Sequence, residues 1–313
     1  MKLLIGYDGS DCANAALDDL DRAGLPEVAE VVILCVADVF LPPDSGAKEE
    51  AVPLWLTARI NQARAHTMKA VEEARATAEH ARSRVQSDHP GWRIQAEACA
   101  DSPGWGIIKR AGQWQADLVT VGAHGHSETL GLFLGSISQR VLHDSPCSVR
   151  VGRTPKSTKP SPARVIVGAD GSSDSEMALR QVARRRWPAG SAIRVLTTVD
   201  SLLAASLAHG STSSASQTER GHSETSIDQI NEAASEILRE AGLDVSSVIT
   251  HGKPTDILVR EAKQWNADCI FLGAKGLRGI RSFLLGSVSA GVAARAPCSV
   301  EVVRSLAIPP RIV

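Results

Sequence analysis

The chain has 313 residues, 43% hydrophobic and 22% charged, with 34 basic and 35 acidic side chains and a formal net charge of −1. That balance excludes a disordered or fibrous chain, and near-neutrality argues against a protein built to coat nucleic acid or an anionic membrane. No apolar run approaches the roughly 20 residues that a membrane span needs, and at about 150 residues per domain the length suggests two domains.

Along the chain, short apolar runs alternate with helical patterns, which predicts parallel strands joined by crossover helices. The opening run predicts a strand over 2–7. It meets Asp8 too early for a secretory leader, so a cytoplasmic location is expected. VVILCV lies in a strand over 30–37 and PPDSGAKEE, 42–50, reads as a loop. Thr57–Ser87, rich in Ala, Arg and Glu, predicts a long helix, followed by strands over 92–99, 117–122 and 148–152. TPKSTKPSPA, 154–163, carries three prolines and reads as a linker.

The pattern then starts again, with strands over 164–169, 192–199, 245–250, 268–273 and 299–303 and a helix over about 226–241. Most of Ser201–Ser226, rich in Ser, Thr and Gly, reads as a mobile loop. Arg184-Arg185-Arg186 is expected to complement the carboxyl-terminal dipole of the helix it ends. Trp114 and Trp265 read as helix-to-sheet packing, and the six cysteines, with no C-x-x-C pair, as free thiols.

The second pattern is a copy of the first. Residues 111–153 align without gaps on 262–304 with 19 identities in 43 positions, and LLIGYDGSDCANAAL (3–17) resembles VIVGADGSSDSEMAL (165–179). The expected domains are 1–153 and 163–304, with a linker over 154–162 and a tail over 305–313.

Two features stand at strand ends in both copies. Asp8-Gly9-Ser10 and Asp170-Gly171-Ser172 follow the first strands. Gly122-x2-Gly125-x9-Gly135-Ser136 and Gly273-x2-Gly276-x9-Gly286-Ser287 follow the fourth. Glycines let a backbone approach a ligand and adopt positive φ, so that N–H groups face phosphate oxygens. The Gly-Ser pairs open helical patterns, where free N–H groups and the helix dipole favour an anion. The aspartate is suited to accept from a ribose hydroxyl or an adenine amine. A lone Gly-rich turn is more often plain chain reversal, and Asp-Gly-Ser a capped turn. The same spacing in two otherwise diverged copies favours a nucleotide pocket. His124-x-His126 has no third ligand at metal-site spacing, and no G-x-x-x-x-G-K-[ST] is present, which excludes a P-loop.

A strand-end aspartate with G-x2-G-x9-G-[ST] resembles the ATP-binding form of the universal stress protein family. The resemblance spans nearly the whole chain and includes Gly252-Lys253-Pro254 and the strand-five entries S-P-C-S-V and A-P-C-S-V. It implies an α/β fold of two tandem domains, each a five-stranded parallel sheet of order 3-2-1-4-5 with helices on both faces. ATP, with or without Mg, would lie in the crevice between strands one and four. The resemblance puts adenosine at Asp8 and Val36, or at Asp170 and Thr198, beside the strand glycines Gly6 and Gly168. It puts phosphates at Gly122, Gly125, Gly135, Ser136 and Ile137, or at Gly273, Gly276, Gly286, Ser287 and Val288.

The loops differ in charge. Lys275, Arg278 and Arg281 stand beside the second phosphate set, against His124, His126 and Glu128 beside the first. Asp101 also takes the place of Gly252, at the expected pocket mouth. The second site is therefore expected to be the tighter. The implied function is that of a nucleotide-dependent stress-response regulator; the alternative is a slow ATPase or a phosphoryl or nucleotidyl transferase in the same pocket. The halves are expected to pair through their fifth strands as an intramolecular pseudo-dimer. A homodimer of whole chains is a further assembly, and neither nucleic acid nor membrane is an expected partner.

Overall fold

Inner strands form where apolar residues run unbroken and leave both faces to be covered, and edge strands where apolar residues alternate with polar ones, as in DVSSVITH. In the computed structural model, which describes residues 1–39, 54–125, 134–155, 162–199, 217–276 and 285–305, each half holds five of them. The first half contains β1 (Lys2–Gly6), β2 (Glu30–Ala37), β3 (Arg93–Ala100), β4 (Leu118–Gly122) and β5 (Ser148–Gly152). The second contains β6 (Arg164–Gly168), β7 (Ala192–Val199), β8 (Asp244–His251), β9 (Cys269–Gly273) and β10 (Ser299–Val303). Within each half every pairing is parallel and the order is 3-2-1-4-5.

The halves join edge to edge. β5 and β10 pair antiparallel, with Arg150 opposite Glu301, and make one sheet of ten strands.

Helices α1 (Asp11–Asp18), α2 (Leu54–Asp88), α3 (Pro103–Trp114) and α4 (Ser136–Asp144) cover the first half. Their counterparts are α5 (Ser173–Ala183), α6 (Gln217–Glu240), α7 (Pro254–Gln264) and α8 (Ser287–Arg295). In α2 the buried positions Ala74, Ala78, Ala81 and Val85 recur every three or four residues. This stripe of small side chains lays a long helix close against β2 and β3. Helix α6 begins nine residues earlier than its polar composition suggested. Gln217, Glu219, Arg220 and Glu224 are good helix formers and carry the helix through a single glycine. The rest of that predicted loop, 42–50, and most of the linker and tail lie outside the described residues.

One face of the sheet carries a single apolar core running through both halves, built on Ile107, Val141, Leu142, Ile257, Leu258 and Val292. On the other face there are two cores, under α1 and α2 and under α5 and α6. Where the halves meet on this side lies a buried ion cluster. Arg150 donates to both Asp19 oxygens, Nε to Oδ2 at 2.6 Å and Nη2 to Oδ1 at 3.1 Å, and through Nη1 to Glu301 Oε2 at 3.2 Å. Arg185 donates to the other Glu301 oxygen and to the Ala23 carbonyl at 2.9 Å. The dipole role expected of the arginine triplet therefore does not describe Arg185, which is buried between the halves instead. A second bridge between them joins Arg22 to Asp268.

Two further arginines cross the seam. Arg153, after β5, donates to the Ala293 carbonyl at 2.8 Å at the end of α8. Arg304, after β10, donates to the Leu142 and Ser145 carbonyls at 2.6 and 2.5 Å at the end of α4. Each satisfies orphan carbonyls of a helix belonging to the other half and places positive charge at its negative pole.

Candidate functional site

In each half the strand order reverses at the first strand, which opens a crevice at the carboxyl ends of strands one and four. In the first half that crevice is a cavity of about 450 Å³, within the range of small-molecule sites. Its lining gathers Gly6 and Asp8 from β1, Val36 from β2, Gly122 and Gly125 after β4, and Gly135, Ser136 and Ile137 at the start of α4. All eight first-half residues singled out from sequence thus meet at one cavity. The chain also brings Tyr7, Cys35, Asp38, Ala74 and Ile107 there, which the motifs did not flag. Cys35 and Asp38 flank Val36 on the same strand end and could have been found by extension. Ala74 and Ile107 come from helices whose seating on the sheet no local motif records.

The positive φ expected of the motif glycines is not what holds them in place. Positive φ occurs at Gly9 and Gly171 but at none of the six loop glycines. Gly122 is a glycine because a Cβ there would stand 2.6 Å from the Cys12 carbonyl oxygen, where α1 begins; Gly273 meets Asp174 in the same way. At Gly125 a Cβ would come within 2.9 Å of Asp8 Oδ2, and at Gly276 within 2.6 Å of Asp170 Oδ2. The glycines thus bring the strand-four loop against the strand-one carboxylate. The Gly135 and Gly286 amides donate to the Ala123 and Ala274 carbonyls, each at 2.8 Å, and close both loops at their base.

The helix starts divide into two kinds. Ser10 and Ser172 cap α1 and α5, accepting from Ala13 N and Ser175 N at 3.2 Å. Helices α4 and α8 begin on Gly135 and Gly286 with no side-chain cap. Their first N–H groups are left to water or an anion. Ser136 and Ser287 are exposed at those ends, while Ser138 and Ser289 are turned inward and donate to the Gly122 and Gly273 carbonyls at 2.7 Å.

Asp8 also serves its own turn, Oδ1 accepting from Ser10 N at 3.0 Å and Ser10 Oγ at 2.6 Å; Asp170 does the same with Ser172. Asp101 does not line the cavity. It accepts from Ser102 N at 2.7 Å and lies 3.9 Å from Lys109, so the acid expected at the mouth is held at the start of α3. Among the described residues the acids that line the cavity are Asp8 and Asp38. Burial, with Asp8 and Cys99 adding, pushes the Cys35 thiol up to about 11, so it is no ready nucleophile. Burial, with Arg153 adding, pushes His124 below its ordinary value.

In the second half Gly168, Asp170, Thr198, Gly273, Lys275, Gly276, Gly286, Ser287 and Val288 occupy the equivalent strand and helix ends. Lys275 N donates to Asp174 Oδ2 at 3.0 Å. Arg278, Arg281, His126 and Glu128 lie outside the described residues. Among the described residues no group of His, Cys, Asp and Glu could hold a metal ion, and no helix is long and apolar enough to cross a membrane.

Comparison with known proteins places both halves together. The model of the Universal stress protein family matches residues 1–153 and 163–304. A curated Staphylococcus aureus (strain USA300) protein named for that family is 38% identical over 76 residues, 24% of this chain and 46% of that protein; the match thus spans about half the relative's length. Among solved structures, a universal stress protein from Archaeoglobus fulgidus DSM 4304 matches over 97% of this chain and 98% of its own, at 20% identity and a TM-score of 0.56. A functionally unknown protein from Pseudomonas aeruginosa PAO1 matches over 96% and 92%, at 13% identity and a TM-score of 0.55. At such identities the likeness to these two is one of fold.

Proposed function

The chain belongs to the universal stress protein family through both of its halves, and on that premise we propose that it is an ATP-binding regulatory protein of the stress response. The observation that carries this is the crevice itself: a 450 Å³ cavity with a strand-end carboxylate on one side and an uncapped helix start on the other. The residues fit the group. The N–H groups at the start of α4 suit phosphate, Val36 and Ile107 offer apolar walls for a base, and Asp8 and Asp38 are acceptors for ribose hydroxyls. Gly125 keeps the path beside Asp8 open, since any side chain there would fill it.

ATP, with or without Mg, would supply binding energy that differs between conformations or partner complexes. The chain's own residues would hold and orient it. Two acid-base candidates on the lining are poorly suited to turnover: Asp8 is engaged by Ser10, and Cys35 remains a thiol at neutral pH. A whole-chain homodimer would use a surface other than β5 and β10, which already pair with each other.

Mass spectrometry of nucleotide that co-purifies with the full chain, followed by incubation with Mg²⁺, tests the proposal. ATP that remains intact for hours is expected. Steady release of ADP or AMP would favour a slow ATPase or transferase, and a chain that neither carries nor takes up nucleotide would overturn the reading.

A further inference from the structure

Between the first two motif glycines the two halves differ in one charged position. Where the second half carries Lys275, a permanent cation, the first half carries His124. His124 lines the 450 Å³ cavity between Gly122 and Gly125, and its Nε2 is buried with no hydrogen-bond partner among the described residues. Leaving a buried ring nitrogen unsatisfied is costly unless something completes it.

The groups around it are mixed. Arg153 at the end of β5 disfavours a charged ring. Asp8 at the end of β1 and Asp38 after β2 line the same cavity, and Asp11 stands in the first turn of α1. The first turn of α4 adds no charge. In the free protein the ring is therefore neutral at pH 7. A polyphosphate beside it would add several negative charges and reverse that preference.

Resting on the nucleotide-binding reading above, we infer that His124 is a phosphate ligand that serves only when protonated, so that the first-half site takes up a proton together with its nucleotide. The second half, holding Lys275 at the same place, needs none. The proton comes from solvent to an imidazole nitrogen, and no covalent bond changes. The sign follows from linkage. A bound-state pKa raised above the free-state value makes affinity rise as pH falls through the window between the two, by up to about tenfold for each pH unit that the window spans. The first site would thus respond to acidification while the second stays steady.

The test uses the full chain with imidazole-labelled histidine, His124 being identified as the resonance missing in His124→Gln. Its titration is followed by NMR with and without saturating ATP, and binding is measured in parallel by calorimetry from pH 5.5 to 8 in buffers of different ionisation heat. ATP is expected to raise the His124 pKa by one or more. Proton uptake should fall in His124→Gln and binding become less pH-dependent in His124→Lys. The terminal phosphate of ATP titrates in the same range, but equally in all three proteins, so the difference belongs to residue 124. ATP binding that leaves His124 unmoved would overturn this inference and spare the nucleotide reading. Absence of any ATP binding would overturn both.

Discussion

Replacing Glu301 by glutamine keeps its shape and removes one charge from a cluster that contains two arginines and two carboxylates. Glu301 and Arg150 are both 0% exposed, and Arg185 is nearly as deep. After the change Arg150 retains Asp19, but Arg185 loses its carboxylate and the cluster is left with an uncompensated positive charge. Breaking one partner of a buried pair costs about 3–5 kcal/mol. At roughly 2 °C per kcal/mol for a chain of this size, the midpoint of thermal unfolding should fall by about 6–10 °C. Adding Arg185→Met restores charge balance, so the double variant should be more stable than the sum of the two single losses predicts. The assay is thermal unfolding of the four proteins of this cycle. A Glu301→Gln loss under about 1 kcal/mol, or losses that add to within about 0.5 kcal/mol, would refute the view that the cluster acts as one unit.

Gly125→Ala and Gly276→Ala each push a methyl group to within 3 Å of an aspartate oxygen; each should weaken nucleotide binding in its own half, read by calorimetry, with far-UV circular dichroism unchanged. Arg304→Met and Arg153→Met should each cost up to about 2 kcal/mol in urea unfolding. The Arg304 loss should be the larger, because Arg153 Nη1 has no hydrogen-bond partner among the described residues, and the reverse order would refute the assignment. Cys35, raised to about 11, stays protonated until the pH nears that value. Its alkylation, followed by mass spectrometry, should therefore be slow at pH 8, quicken above pH 10 and be slowed again by ATP; labelling at pH 8 as fast as a free thiol would count against its placement.

The architecture was largely legible because its signal is local. Runs such as VVILCV and CIFLG can be buried on both faces only as inner strands, and the duplication supplies each assignment twice. The meeting of the strand-four loop with the strand-one aspartate is legible too, but the glycines serve a need the motif does not state. The motif alone suggests conformationally free glycines, whereas Gly122 and Gly273 are small because α1 and α5 begin against them. Such a contact joins residues about 100 positions apart and leaves no local trace. Arg185 escapes local pattern for the same cause: a triplet at a helix end looks like dipole compensation until the partner, Glu301, is brought to it from more than 100 residues away. Rank in the repeat puts Asp101 at the cavity mouth, while its own neighbours, Ser102 and Lys109, decide where its carboxylate goes.

Positions 150 and 301 correspond to one another in the duplication, yet one is arginine and the other glutamate, and they face each other where β5 meets β10. Were two identical chains to meet there, each residue would confront its own copy, and two buried like charges would repel with no water to screen them. Each half is therefore a key cut for the other and a misfit for itself. Because the partners share one backbone, dilution has little power to separate them. Freed from having to match, the two halves can drift apart in sequence, as His124 and Lys275 already have, while remaining one folded body.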